Sequence, residues 1–290
     1  MGEQDQAGWT DGSWTSPDGL KLHYRDHPGR ADLPPVLCLP GLTRNARDFE
    51  GVAARLAGEW RVICPDMRGR GDSQYAKDST TYNPMQYIAD VAALIAQAGL
   101  ERFVVIGTSL GGLMTMGMAI PMQDRIAGVC LNDIGPEIDQ GGLDRIRSYV
   151  GQGRSFPTWM HAARGLEEAQ GHAFPDFQIA DWLVMAKRIM TLSSNGRIVF
   201  DYDMKIAEPF ADGDNVAPPN LWPALEALAG RPALFLRGEL SDILSAETLA
   251  AMGRRVPDAE CVTVPRVGHA PTLDEPECVA GLERLLARVA

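Results

Sequence analysis

The sequence predicts an α/β protein: a mostly parallel sheet with helices on both faces, interrupted by an inserted helical cap. Three observations predict it. Short β-rich runs alternate with helical stretches up to residue 134. From Gly135 to about Asp214 the alternation gives way to helix-like stretches with almost no buried-strand signal. It then resumes to the C-terminus, which is the pattern of one interrupted α/β sheet. We therefore assign residues 1–134 and 215–290 to the core and 135–214 to the cap, a single hydrophobic core suiting a chain of 290 residues.

The first strands are read at Leu20–Arg25, Val36–Leu39 and Trp60–Cys64. A helix follows over Ile88–Gly99, because Ile88, Val91, Ala92 and Ile95 share one face at helical spacing. Phe103–Ile106 is a short, continuous apolar run, as a strand covered on both sides requires. Gly111–Ala119 reads as a helix and Ile126–Leu131 as the next strand. In the cap, helical stretches fall at Leu143–Val150, Pro157–Gln170 and Pro175–Leu192. A short Arg197–Asp203 strand and the Asp, Gly and Pro of Asp212–Pro219 close it. Beyond it come a helix at Leu221–Ala229, strands at Ala233–Arg237 and Glu260–Val264, and helices at Glu247–Gly253 and Val279–Ala290.

Composition bounds the function. Lys and Arg number 27 against 38 Asp and Glu, a formal charge of −11 that repels phosphate backbones and anionic lipid. Nucleic acid and membrane surfaces are therefore excluded as partners, and an anionic substrate needs a local arginine to override the field. Met1–Ser16 has neither the basic nor the apolar region of a secretory signal, and no apolar run reaches the ~18 residues of a membrane span. Of the five cysteines, Cys38, Cys64, Cys130 and Cys261 lie in or beside apolar runs that read as buried strands; Cys278 is the fifth. An odd number without paired spacing fits small core residues in a reducing compartment, so the expected location is cytoplasmic. No metal-ligand cluster, phosphate loop or dinucleotide fingerprint occurs, so no cofactor and no metal are expected. The oligomeric state stays open, homo-oligomer included.

One motif carries chemistry. Gly107–Thr108–Ser109–Leu110–Gly111 has the form G-x-S-x-G and follows a strand and precedes a helix. Such a serine sits on a strained turn whose flanking glycines avoid collision with neighbouring strand and helix, and the helix start favours negative charge there. A serine hydroxyl is a weak nucleophile and needs a base. His269, in the loop after the last predicted strand, is the candidate, because such loops present the reactive groups of an α/β sheet. His23 and His27 read as structural or surface; His161 and His172 lie in the cap. The base needs an acceptor to hold its tautomer. Asp242, in the loop after the penultimate strand, is preferred; Asp133, just past Ile126–Leu131, is the second contender and Glu239 a weaker one. The expected oxyanion donors are the backbone N–H groups of Leu110 and of Leu42, the latter in Leu39–Pro40–Gly41–Leu42–Thr43.

Together these pieces resemble the α/β-hydrolase superfamily over nearly the whole chain. Asp66–Met67–Arg68–Gly69–Arg70–Gly71–Asp72–Ser73 is similar to that family's D-x-R-G-x-G-x-S turn, and Gly268–His269 to its histidine loop. Pro40–Gly41 departs from the His-Gly usual in the oxyanion loop, but a backbone donor survives that change. Some members place the acid after the sixth strand, which keeps Asp133 open. A serine nucleophile argues against the aspartate-using dehalogenases and epoxide hydrolases of the fold.

The resemblance implies a serine hydrolase of a small-molecule carboxylic ester or lactone, acting through an acyl-enzyme on Ser109. The alternatives are a carbon–carbon bond hydrolase of diketo acids, for which Arg44 and Asn45 could hold the anion, a haloperoxidase-like activity, and a binding receptor that keeps the triad without turnover. Trp159, Met160, Phe177, Trp182, Met185 and Met190 of the cap, with Met114, Met116 and Met118, supply apolar surface that packs core or shapes the pocket.

Overall fold

A computed structural model describes residues 8–211 and 220–290. The Asp212–Pro219 stretch read as closing the cap, and residues 1–7, lie outside the described residues. The first half contains β1 (Thr10–Thr15), β2 (Lys21–His27), β3 (Val36–Leu39), α1 (Glu50–Leu56), β4 (Val62–Asp66) and α2 (Pro84–Gln97). It continues through β5 (Phe103–Thr108), α3 (Leu110–Ala119) and β6 (Ile126–Asn132). The segment after β6 holds α4 (Gln140–Tyr149), β7 (Ser155–Phe156), α5 (Trp159–Gln170), α6 (Ile179–Ile189), β8 (Met190–Leu192), β9 (Ile198–Phe200) and α7 (Glu208–Ala211). The chain then returns through α8 (Trp222–Glu226), β10 (Ala233–Gly238), α9 (Ala246–Arg255), β11 (Ala259–Val264) and α10 (Pro276–Ala287).

Eight strands form one sheet in the order β1-β2-β4-β3-β5-β6-β10-β11. β1–β2 and β2–β4 pair antiparallel and the remaining neighbours pair parallel. The central strands β3, β4 and β6 are buried at every residue, as their unbroken apolar runs require. Successive residues feed opposite faces. Leu37 and Leu39 join Val91, Leu94, Met114 and Met252 of α2, α3 and α9; Val36 and Cys38 join Val52, Leu282 and Leu285 of α1 and α10. The methionines Met114, Met116 and Met118 are fully buried and pack this core.

Three elements depart from the reading of the sequence. β1 is a polar edge strand, half exposed, and so carries no apolar signature. The segment between β6 and β10 holds its own three-stranded antiparallel sheet, ordered β7-β9-β8; β9 falls within the strand read at Arg197–Asp203, whereas β7 and β8, of two and three residues, are too short to read as strands. Cys261 is exposed, because β11 is the sheet edge, whereas Cys38, Cys64, Cys130 and Cys278 are buried. All five thiols are free.

A buried charge cluster ties β4's exit to α2. Arg68, with no exposed surface, grips Asp90 through Nε (2.6 Å) and Nη2 (2.7 Å) and Asp18 through Nη1 (2.9 Å) and Nη2 (2.8 Å). Bidentate geometry on both carboxylates is what makes such a burial tolerable.

Candidate active site

β5 ends in a turn that only its glycines permit. Ser109 has φ +52°, and its N–H is fixed to Asn132 O on β6 (3.0 Å). A Cβ on Gly111 would lie 2.0 Å from Leu39 O, and one on Gly107 would lie 2.6 Å from the backbone of Gly111. The turn is thus packed backbone against backbone, holding Ser109 at the start of α3.

The histidine loop arrives from β11. His269 Nε2 lies 2.9 Å from Ser109 Oγ, and Nδ1 lies 2.7 Å from Asp133 Oδ2. A carboxylate only accepts, so Nδ1 carries the proton and Nε2 is left to receive one from the serine. The His269 side chain is 8% exposed and that of Asp133 not at all. The loop is tied down at both ends: Asn132 Nδ2 donates to Pro271 O (2.9 Å), and Gly268 N–H donates to Ala173 O (2.6 Å) in the inserted segment.

The acceptor is therefore Asp133 and not Asp242, which corrects the preference drawn from the sequence. Asp133 follows β6 directly at φ +56°, with its N–H on Leu236 O (2.9 Å). Its Oδ1 accepts from Gly238 N–H (2.8 Å), and its Oδ2 accepts from Ser241 Oγ (2.7 Å) as well as from His269. The carboxylate reaches across the end of β10 toward the β11 loop, and β10 ends in Gly238, where a Cβ would lie 2.4 Å from Val267 O and 2.5 Å from Gly268 O and push the histidine loop away. Asp242 lies four residues beyond that strand, 41% exposed, and forms a two-point ion pair with Arg145 (Oδ1–Nη2 2.7 Å). Arg145 holds its carboxyl below the usual carboxylate range. Glu239 accepts from Arg266 N–H, away from the histidine.

Leu110 follows the serine at the start of α3 and Leu42 lines the same cavity as Ser109; neither N–H meets a protein acceptor among the described residues. The Gly41 carbonyl is drawn off by Arg44 N–H (3.1 Å), which turns the Leu42 N–H of the same peptide the other way. The Leu42 carbonyl is gripped by buried Arg70 through Nε (2.8 Å) and Nη2 (2.7 Å). Arg70 in turn donates to Arg68 O (2.6 Å) and to Tyr87 Oη (3.1 Å). Sequence reasoning found the turn that bears Arg70 but missed its hold on the Leu42 loop.

Ser109 and His269 open into a cavity of about 290 Å³, roofed by Phe156, Leu166, Phe174 and Met185 of the inserted segment. Of the apolar residues named from sequence, Met185 lines this cavity. Trp182 is 1% exposed and packs edge-on against Phe174 (5.9 Å) and Phe177 (5.2 Å), in the core cluster that the segment shares with one face of the main sheet. His172 reaches the cavity; His161 bonds Thr158 at the start of α5. Asn45 is fully buried and accepts from Arg47 N–H as a helix cap. Among the described residues, one group has donor atoms converging within 4.8 Å as a metal requires: His23, Asp66 and Asp72. Both His23 nitrogens are already engaged, by Asp66 (2.7 Å) and Asp11 (3.0 Å). Burial works to lower the His23 pKa, but these two partners outweigh it and raise the value.

Comparison with known proteins shows the family and the fold. A family model described as the alpha/beta hydrolase family matches residues 36–281. The 3-hydroxybutyrate-oligomer hydrolase of Cupriavidus necator is 35% identical over 273 residues, covering 91% of this chain and 92% of that protein. The 2-(acetamidomethylene)succinate hydrolase of Mesorhizobium japonicum is 27% identical over 242 residues, 81% of each chain. The crystal structure of an alpha/beta hydrolase from Novosphingobium aromaticivorans superposes with a TM-score of 0.94 at 63% identity, covering 98% of this chain and 99% of that one.

Proposed function

The chain belongs to the α/β-hydrolase family, and on that premise we propose that it is a serine hydrolase of small carboxylic esters, linear esters of hydroxy acids foremost. The observation that carries this reading is the unbroken relay Ser109–His269–Asp133 opening into the cavity. The choice of ester is supported by the near full-length similarity to the Cupriavidus necator protein.

In this reading Ser109 Oγ attacks the ester carbonyl carbon as its proton passes to His269 Nε2. Asp133 holds the ring and stabilises the imidazolium. The oxyanion settles between the N–H groups of Leu42 and Leu110, and Arg70 fixes the loop that bears the first. Collapse breaks the ester C–O bond, and the leaving alkoxide takes the proton from His269. Water, deprotonated by His269, then attacks the acyl-enzyme, releasing the acid and restoring Ser109. The segment between β6 and β10 acts as the cap, its apolar side chains shaping the acyl site. Five free thiols, four of them buried, fit a reducing cytoplasmic setting.

The test is a substrate panel: aryl esters of graded acyl length and the linear dimer of 3-hydroxybutyrate, run beside a dienoic diketo acid. The esters are expected to show the higher kcat/KM. Preference for the diketo acid would move the protein to carbon–carbon cleavage, and ligand-induced thermal stabilisation without turnover would make it a receptor.

A further inference from the structure

Resting on the hydrolase reading, we propose that the enzyme selects esters carrying a free carboxylate on the leaving-alcohol side, received by Arg44 and Arg188. The protein carries −11 overall, yet its main cavity is lined, among the described residues, by four arginines and a single carboxylate, Asp48. The arginines are Arg44, Arg145, Arg154 and Arg188. Such an inversion of sign draws an anion into a site that the molecule's net charge opposes.

The four are not equivalent. Arg145 is spent on Asp242, and Arg154 is exposed, where water satisfies its charge. Arg44 and Arg188 stand where the main cavity meets a second of about 230 Å³, since both line the two spaces. Each is held by one carboxylate through one nitrogen: Arg44 Nε to Asp48 Oδ2 (2.5 Å) and Arg188 Nη2 to Asp274 Oδ2 (2.8 Å). Each keeps guanidinium N–H groups for which no protein acceptor is found among the described residues. Such donors are free to take a ligand carboxylate in a charge-assisted hydrogen bond. Asp48 Oδ1 is also unfilled, but its carboxylate is already neutralised by Arg44.

Arg44 is also close to the reacting atoms. A Cβ on Gly41 would lie 3.3 Å from Arg44 Cγ and 3.8 Å from Ser109 Cβ. In a 3-hydroxy acid ester the free carboxyl carbon is separated from the ester oxygen by two carbons, a short reach from the oxyanion loop. Docking it at the junction places the acyl part under the apolar roof and stops the leaving hydroxy acid short of the second cavity, whose further lining includes the carboxylates Asp181, Asp274 and Glu275. Cleavage is then measured from the carboxyl end of an oligomer.

The experiment compares the free-acid dimer of 3-hydroxybutyrate with its neutral primary amide on the same enzyme, so partial unfolding of a variant cancels in the ratio. The native protein is expected to prefer the acid in kcat/KM. Arg44→Gln and Arg188→Gln are each expected to lower the acid-to-amide ratio about tenfold or more, chiefly through KM. Arg154→Ala is expected to leave the ratio within about twofold. A native preference for the amide, ratios unmoved in both glutamine variants, or a loss carried by Arg154 would each overturn the proposal. Turnover of the amide without preference for the acid defeats the carboxylate site alone; turnover of neither, with the aryl esters also inert, defeats the ester-hydrolase reading with it.

Discussion

Asp133→Asn is expected to lower kcat by about 10⁴, while Asp242→Asn lowers it less than about tenfold. The two residues sit in neighbouring loops and differ in what surrounds them. Asp133 is fully buried and takes three donors: Gly238 N–H, Ser241 Oγ–H and His269 Nδ1–H. An asparagine there presents an NH₂ group where an acceptor is required, so the ring either loses its partner or turns to the wrong tautomer. Nε2 then carries a proton and cannot take one from Ser109. Asp242 is 41% exposed and bonds Arg145, which lines the cavity mouth, so its loss loosens an exposed ion pair and spares the relay. Steady-state kinetics on a good ester, with circular dichroism to verify folding, decides between them. Equal losses in the two variants would contradict the assignment.

Arg68→Ala is expected to cost about 3–5 kcal/mol of stability, read as the shift of a denaturant or thermal midpoint. The substitution strands Asp90, a carboxylate with no exposed surface whose two strongest donors, at 2.6 Å and 2.7 Å, come from Arg68. Gln86 Nε2 remains at 3.1 Å, too little for a buried charge. The double variant Arg68→Met with Asp90→Leu, which removes both charges together, is expected to recover most of the loss. A deficit below about 1 kcal/mol in the single variant would show that water reaches Asp90.

Both acids were legible in the sequence, but their ranking, Asp242 above Asp133, turned on where the loops lie. Ser109 announces itself locally: Gly107 and Gly111 are needed because backbone atoms crowd both positions, and the strand and helix that pinch them are visible as an apolar run and a helical face. His269 is found by elimination among five histidines and by its place after the last strand. The acid depends on which loop ends face one another, and chain order does not contain that. β6 is separated from β11 by β10 in the sheet, so the Asp133 side chain must pass over the end of β10. The signal available was burial. Asp133 abuts a strand with no exposed residue, where a carboxylate must be paired, whereas Asp242 follows the polar Glu239 and Ser241 in a loop that water can reach. The inserted segment was legible as helices and one strand, β9, but β7 and β8 were not, since strands of two or three residues leave no periodicity to detect.

The assignment of Ser109 as nucleophile is tested most directly by fluorophosphonate labelling followed by mass analysis of the modified peptide. The native protein is expected to gain one adduct, on the peptide containing Ser109, and Ser109→Ala none. Labelling that persists in that variant, or an adduct on another residue of the native protein, would contradict the account.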